Sequence, residues 1–140
     1  MTDTSIDDLS GEQLVEAVVV EVCGAVESSK IDLVQERTWR MPDKTMWRKA
    51  YYHPDRDIAQ AIAAAEYLQA TRDVYWYIDR DARSEGCDVT CIVSDSFNDN
   101  RAEVTIRKAG GIEDIAAALS RACVAYVRAV KAKDGERCAP

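Results

Sequence analysis

Residues 74–107 read VYWYIDRDARSEGCDVTCIVSDSFNDNRAEVTIR, and three times in that stretch the side chains alternate with a period of two. In 74–79, Val74, Trp76 and Ile78 share one face and Tyr75 and Tyr77 the other. In 87–93, Cys87, Val89, Cys91 and Val93 oppose Asp88, Thr90 and Ile92, and in 101–107, Ala102, Val104 and Ile106 oppose Glu103, Thr105 and Arg107. Successive side chains of a strand point to opposite faces, so this pattern predicts three antiparallel strands with one strongly apolar face. The polar stretches 80–86 and 94–100 are the predicted connections. An apolar sheet face has to be covered, and the flanking sequence supplies helices for it.

Upstream of the strands, Ile58, Ala61, Ile62, Ala65 and Leu68 recur at helical spacing, with Pro54 at the entrance and a start near Asp55 or Asp57. Downstream, Ile112, Ile115, Ala116, Leu119, Ala122, Cys123 and Tyr126 follow the same period behind Gly110 and Gly111. A third helix is predicted over 10–26, where Ser10 and Gln13 form a capping box, Leu9 staples onto Leu14, and Leu14, Val18 and Val22 make a stripe beside Val15, Val19 and Val26. Residues 27–52 show no clear period. The predicted fold is therefore α+β: an antiparallel sheet of three or more strands with helices packed on it, in the order α-α-β-β-β-α. It forms a single domain over 10–131, between a flexible N-terminus (1–9) and a flexible tail (132–140).

Composition limits the function. The chain has 140 residues, 25 acidic against 18 basic side chains, and a net charge of −7, which argues against non-specific binding to nucleic acid or to an anionic membrane. No apolar run approaches the roughly 20 residues a membrane span needs, and the acidic start MTDTSIDDLS is unlike a secretion signal, so a cytoplasmic protein is expected. The five cysteines are then free thiols. Cys87 and Cys91 on one strand stand about 13 Å apart, too far to share a zinc ion, and no metal site is predicted.

Catalytic motifs are missing too. His53, the one histidine, stands before Pro54 without G-x-S-x-G or H-E-x-x-H, and reads as a capping or surface residue. Asp79 and Asp81, and Asp95 and Asp99, suit hairpin turns, and Arg83 breaks the calcium-loop pattern. Gly110–Gly111 turns the chain into a helix, and neither G-x-G-x-x-G nor a Walker lysine points to a nucleotide cofactor. No catalytic residue and no cofactor are assigned, and the chain reads as a non-enzyme.

Charge is unevenly spread. Residues 1–37 carry −7, residues 38–50 carry +3 and residues 51–140 carry −3. The stretch 38–52, TWRMPDKTMWRKAYY, combines cations with large aromatics, the ingredients for stacking a base and neutralising a phosphate. Trp39, Arg40, Trp47, Arg48, Lys49 and Tyr52 are the candidate ligand-binding residues. The same aromatics are also suited to covering the second sheet face, where Tyr75, Tyr77 and Ile92 lie. Asp8, Glu12 and Glu16 form a candidate acidic face for a basic protein surface.

Three stretches resemble a known family. YHPDRDIAQAIAAAEYL (52–68) resembles the Y-S-T-D-I-A-A-A-W helix start of the phage ABA-sandwich domain family, with His53-Pro54 in place of Ser-Thr. GIEDIAAALSRACVAYVRAV (111–130) is similar to its closing helix, and LSGEQLVEAVVVEVCG (9–24) to its opening one. The resemblance implies an α/β/α sandwich and a phage or prophage accessory protein active in the bacterial cytoplasm. Counter-defence is the role it implies, by binding and inhibiting a host defence protein such as a CRISPR effector. The alternatives are a homo-oligomeric sponge for a small or cyclic nucleotide immune signal, and an enzyme whose site carries no recognisable motif.

Overall fold

The computed structural model describes residues 9, 11–27, 38–83, 86–95, 100–107 and 111–138. Its main sheet has the order β4-β5-β6, with β4 Val74–Arg83, β5 Gly86–Asp95 and β6 Arg101–Ile106, all antiparallel. The register sets Trp76 opposite Val93, Ile78 opposite Cys91 and Cys91 opposite Val104, so the predicted apolar face is the one that forms the core. The β4–β5 ladder continues to Arg83 opposite Gly86, so most of the predicted connection 80–86 is strand. Past Asp79 the hairpin extends with polar side chains, which erases the alternation without breaking the backbone pairing.

Two helices cover that face. α2, Ile58–Arg72, starts where Asp57 Oδ1 accepts hydrogen bonds from the N–H groups of Ala59 (3.0 Å) and Gln60 (3.3 Å), and buries Ala61, Ala64, Ala65 and Leu68. α3, Ile112–Cys138, packs across β5, β6 and α2 and buries Leu119, Ala122, Cys123, Val124 and Val127 completely. Its helix continues through 132–138, the stretch predicted to be a flexible tail, because the Lys-Ala-Lys run at 131–133 favours continued helix. No helix among the described residues is long and apolar enough to cross a membrane.

The first helix departs most from expectation. α1, Gly11–Ala17, passes into a π-helical segment, Val18–Val22, in which Cys23 N–H bonds Val18 O, and Gly24 at φ +71° ends it. Predicted to be helical, Val26 is instead an exposed strand residue. The helix serves two cores at once: Leu14, Val18 and Val22 join the main core, while Val15 and Val19 join a second cluster with Ala25, Trp39 and Tyr52. Arg128 of α3 donates Nε and Nη2 to the two carboxylate oxygens of Glu21, each at 2.9 Å, and locks the π-helical segment against α3.

Part of the aperiodic segment forms a second antiparallel sheet, order β1-β2-β3, from β1 Val26–Glu27, β2 Thr38–Arg40 and β3 Met46–Arg48. The element order is thus α-β-β-β-α-β-β-β-α. The small sheet rests on α1, with Trp39 against Val15 and Val19, while on the second face of the main sheet Ile92 of β5, opposite Tyr77, is buried. Tyr75 and Tyr77 on that second face are stacked 6.5 Å apart and exposed. Among the described residues the helices lie on one side of the main sheet, where the family resemblance implies helices on both.

The core thiols make stability depend on pH. Burial pushes Cys91 from the ordinary 9.0 up to about 12, and raises Cys123 and Cys23 as well, the latter opposed by its contact with Tyr52. The unfolded chain releases these protons first, so stability is fully present below pH 9.0 and declines as pH rises toward about 12. Urea midpoints measured at rising pH should fall through that window, and less steeply for Cys91→Val; a flat profile would contradict this packing.

Candidate functional site

The aromatic stretch folds as a tight hairpin. Between β2 and β3, Met41 N–H bonds Thr45 O (2.9 Å), Lys44 N–H bonds Met41 O (2.9 Å), and Thr45 N–H bonds Asp43 Oδ1 (2.9 Å); the Thr45 side chain and then this N–H hold the Asp43 carboxyl below its usual range. Lys44 takes φ +71° to close the turn. Trp39 and Trp47 stand directly opposite each other across the ladder and so share a face. Their burial differs sharply: Trp39 is 6% exposed and Trp47 is 39% exposed.

Tyr52 links the hairpin to α2. Its ring meets Trp47 edge-on, with centroids 5.4 Å apart, and its hydroxyl lies 3.9 Å from Cys23 Sγ. Burial holds the Tyr52 hydroxyl far above its ordinary pKa, with Cys23 adding to the effect, so it stays protonated. The Gln60 side chain of α2 fixes the preceding turn, donating Nε2 to Tyr51 O (2.9 Å) while Oε1 accepts from His53 N–H. Ser120 Oγ of α3 donates to Pro54 O at 2.7 Å in the buried interior, so this corner is anchored to the main core.

Two hollows meet at Tyr52. The first, about 510 Å³, lies between α1 and the small sheet and is lined by Glu12, Glu16, Trp39, Lys49, Tyr52, His53, Asp55 and Arg56. Lys49 Nζ sits 4.2 Å above the Trp39 ring and 2.7 Å from Glu27 Oε1, so that ring face is covered by the protein's own cation. The second, about 550 Å³, lies between the hairpin turn and α2. Met41, Pro42, Trp47, Tyr52, Ala59, Ala63 and Tyr67 give it a mostly apolar wall.

The structure divides the predicted ligand-binding residues. Trp39, Lys49 and Tyr52 line the mixed-charge hollow, Trp47 lines the apolar one together with Tyr52, and Arg40 borders a third with Gly24 and Val26. Arg48 is exposed, its guanidinium 6.0 Å from the Tyr51 ring. Glu12 and Glu16 are exposed on α1 and reach the same hollow as Trp39, so residues predicted for separate sites come together. Asp8, Ser10, Asp99 and Gly110 lie outside the described residues.

Tyr67 lies outside the stretch predicted for recognition, while Met46 and Tyr51 lie within 38–52 but not among its named candidates. Tyr67 is exposed on α2 away from its buried stripe, and a large aromatic off the apolar face of a helix is the signal that marks it. Among the described residues no three His, Cys, Asp or Glu side chains gather closely enough to hold a metal ion. No protein-family model, curated protein or solved structure matches this chain.

Proposed function

We propose that the chain is a non-enzymatic accessory protein that acts by binding a partner protein through the apolar hollow and its aromatic rim. The observation that carries this reading is the grouping of Trp47 and Tyr67 on the walls of an apolar hollow, with the neighbouring Met46 exposed and Tyr51 63% exposed. Trp, Tyr, Met and Arg are the residues enriched at the centres of protein interfaces, and isolated exposed aromatics lack such a shared pocket. The phage resemblance makes a host defence protein in the bacterial cytoplasm the partner to look for. Nucleotide sequestration is less well supported, because Lys49 covers the ring of Trp39 and three carboxylates, Glu12, Glu16 and Asp55, line the same hollow.

Affinity capture from a bacterial host lysate with the intact protein and with Trp47→Ala tests the reading. A specific polypeptide retained by the first and lost by the second supports it; equal retention by both refutes it. Glu12 and Glu16 border the neighbouring hollow and act as rim charges. Glu12→Lys with Glu16→Lys should slow association with a basic partner roughly tenfold at low salt and much less at high salt, as surface plasmon resonance would show. An unchanged association rate would remove the acidic face from the account.

A further inference from the structure

The hairpin turn separates two hollows of opposite character. Met41 and the exposed Pro42 line both the apolar hollow against α2 and a further hollow of about 430 Å³ beside the small sheet. Gly24, Val26, Arg40 and Lys44 complete that second wall, and no described residue on it is acidic. The register explains the composition: Val26, Arg40 and Met46 stand opposite one another, on the face of the small sheet away from Trp39 and Trp47. The nearby carboxylates are engaged elsewhere. Glu27 lies 2.7 Å from Lys49 Nζ, and Asp43, which borders the apolar hollow, accepts from Thr45 N–H. Arg40 and Lys44 are exposed and have no ion-pair partner among the described residues. Lys44 holds its cation at φ +71°, a left-handed position that glycine fills with less strain.

We propose, building on the partner-binding reading of the apolar hollow, that the basic hollow receives a carboxylate of the same partner protein. It belongs to an acidic residue close in sequence to the apolar side chain that enters the hollow against α2. Exposed cations gain little from a lone small anion, because water screens the pair. Tethered to an apolar anchor seated across Pro42, a carboxylate meets Arg40 and Lys44 at high effective concentration. A nucleic-acid strand fits poorly: a chain of net charge −7 repels a polyanion, and both tryptophan rings lie on the opposite face of the small sheet. Charge then runs in one order along the site, from Glu12 and Glu16 in the hollow that shares Tyr52, through the apolar hollow, to Arg40 and Lys44. That order fixes the direction of the bound segment, with its acidic residue at the Lys44 end.

The probes are acetylated, amidated hexapeptides carrying a leucine and a glutamate separated by none, one or two serines, and the same peptides with glutamine. In NMR titrations of the isotope-labelled full chain, the best glutamate peptide should shift the amide signals of Arg40, Met41 and Lys44 together with the Trp47 indole. It should bind roughly tenfold more tightly than its glutamine counterpart. Arg40→Glu with Lys44→Glu should remove that preference, and Lys44→Gly, at a position glycine fits, should reduce it in a chain that circular dichroism shows to be folded. The basic hollow is overturned by no shift with any peptide, by equal affinity for glutamate and glutamine, or by a preference that survives loss of both cations. Binding of oligodeoxythymidine in place of the peptides, or the same shifts from concentrated protein alone, overturns it too. A missing preference while Trp47→Ala still abolishes binding sinks the acidic segment alone; binding unaffected by Trp47→Ala sinks the apolar anchor with it.

Discussion

Trp47→Ala is expected to weaken the proposed complex by about 2–4 kcal/mol, roughly 30- to 1,000-fold in Kd, while leaving the fold intact. The size follows from where the ring sits. Trp47 is 39% exposed, lines the apolar hollow, and is held edge-on by Tyr52, so it is a large aromatic already oriented before any partner arrives. Truncation empties one wall of the hollow and removes little from either core, since neither buried cluster includes Trp47. Titration calorimetry against the captured partner, with circular dichroism as the control for folding, checks both halves. A loss below about 0.5 kcal/mol would place Trp47 outside the energetic centre of the interface.

Leu119→Ala is expected to lower global stability by about 2–5 kcal/mol. Leu119 is completely buried in α3, which touches α2, β5, β6 and the π-helical segment, so the void opens where several layers meet. Alanine is already used at many of the surrounding buried positions, among them Ala61, Ala64, Ala65, Ala116 and Ala122. Such a core has few long side chains to collapse into a new space. A domain of this size has about 5–15 kcal/mol in total, so the loss is a large share of it. The urea midpoint should drop with its slope unchanged; a shift worth less than about 1 kcal/mol would mean that the packing is looser than described.

Sequence and structure agree where a pattern repeats long enough to be read. The face of Val89, Cys91 and Val93 and the stripe of Ala61, Ala65 and Leu68 each run through several repeats, and both are buried as the periodicity implies. The small sheet is too short for that signal: its strands have two, three and three residues, and all of β3 is exposed. The end of the first helix was obscured by consecutive valines, which suit a helix, a π-helical segment or a strand equally well, and only Gly24 marks the stop. At the candidate site, the aromatic and basic character of 38–52 was legible and its grouping was not. Whether Lys49 neutralises a ligand or covers Trp39 depends on Glu27, which lies across the small sheet and far away in sequence. Tyr67 reaches the hollow through the packing of α2 beside the hairpin, and no local pattern encodes that.

The most direct test is native mass spectrometry of the affinity-purified protein after expression in a bacterial host, comparing the wild-type chain with Trp47→Ala. The wild-type chain should carry a bound polypeptide of defined mass, absent from an equally folded Trp47→Ala. A small nucleotide as the sole bound species, or the same polypeptide retained in equal amount by Trp47→Ala, would contradict it.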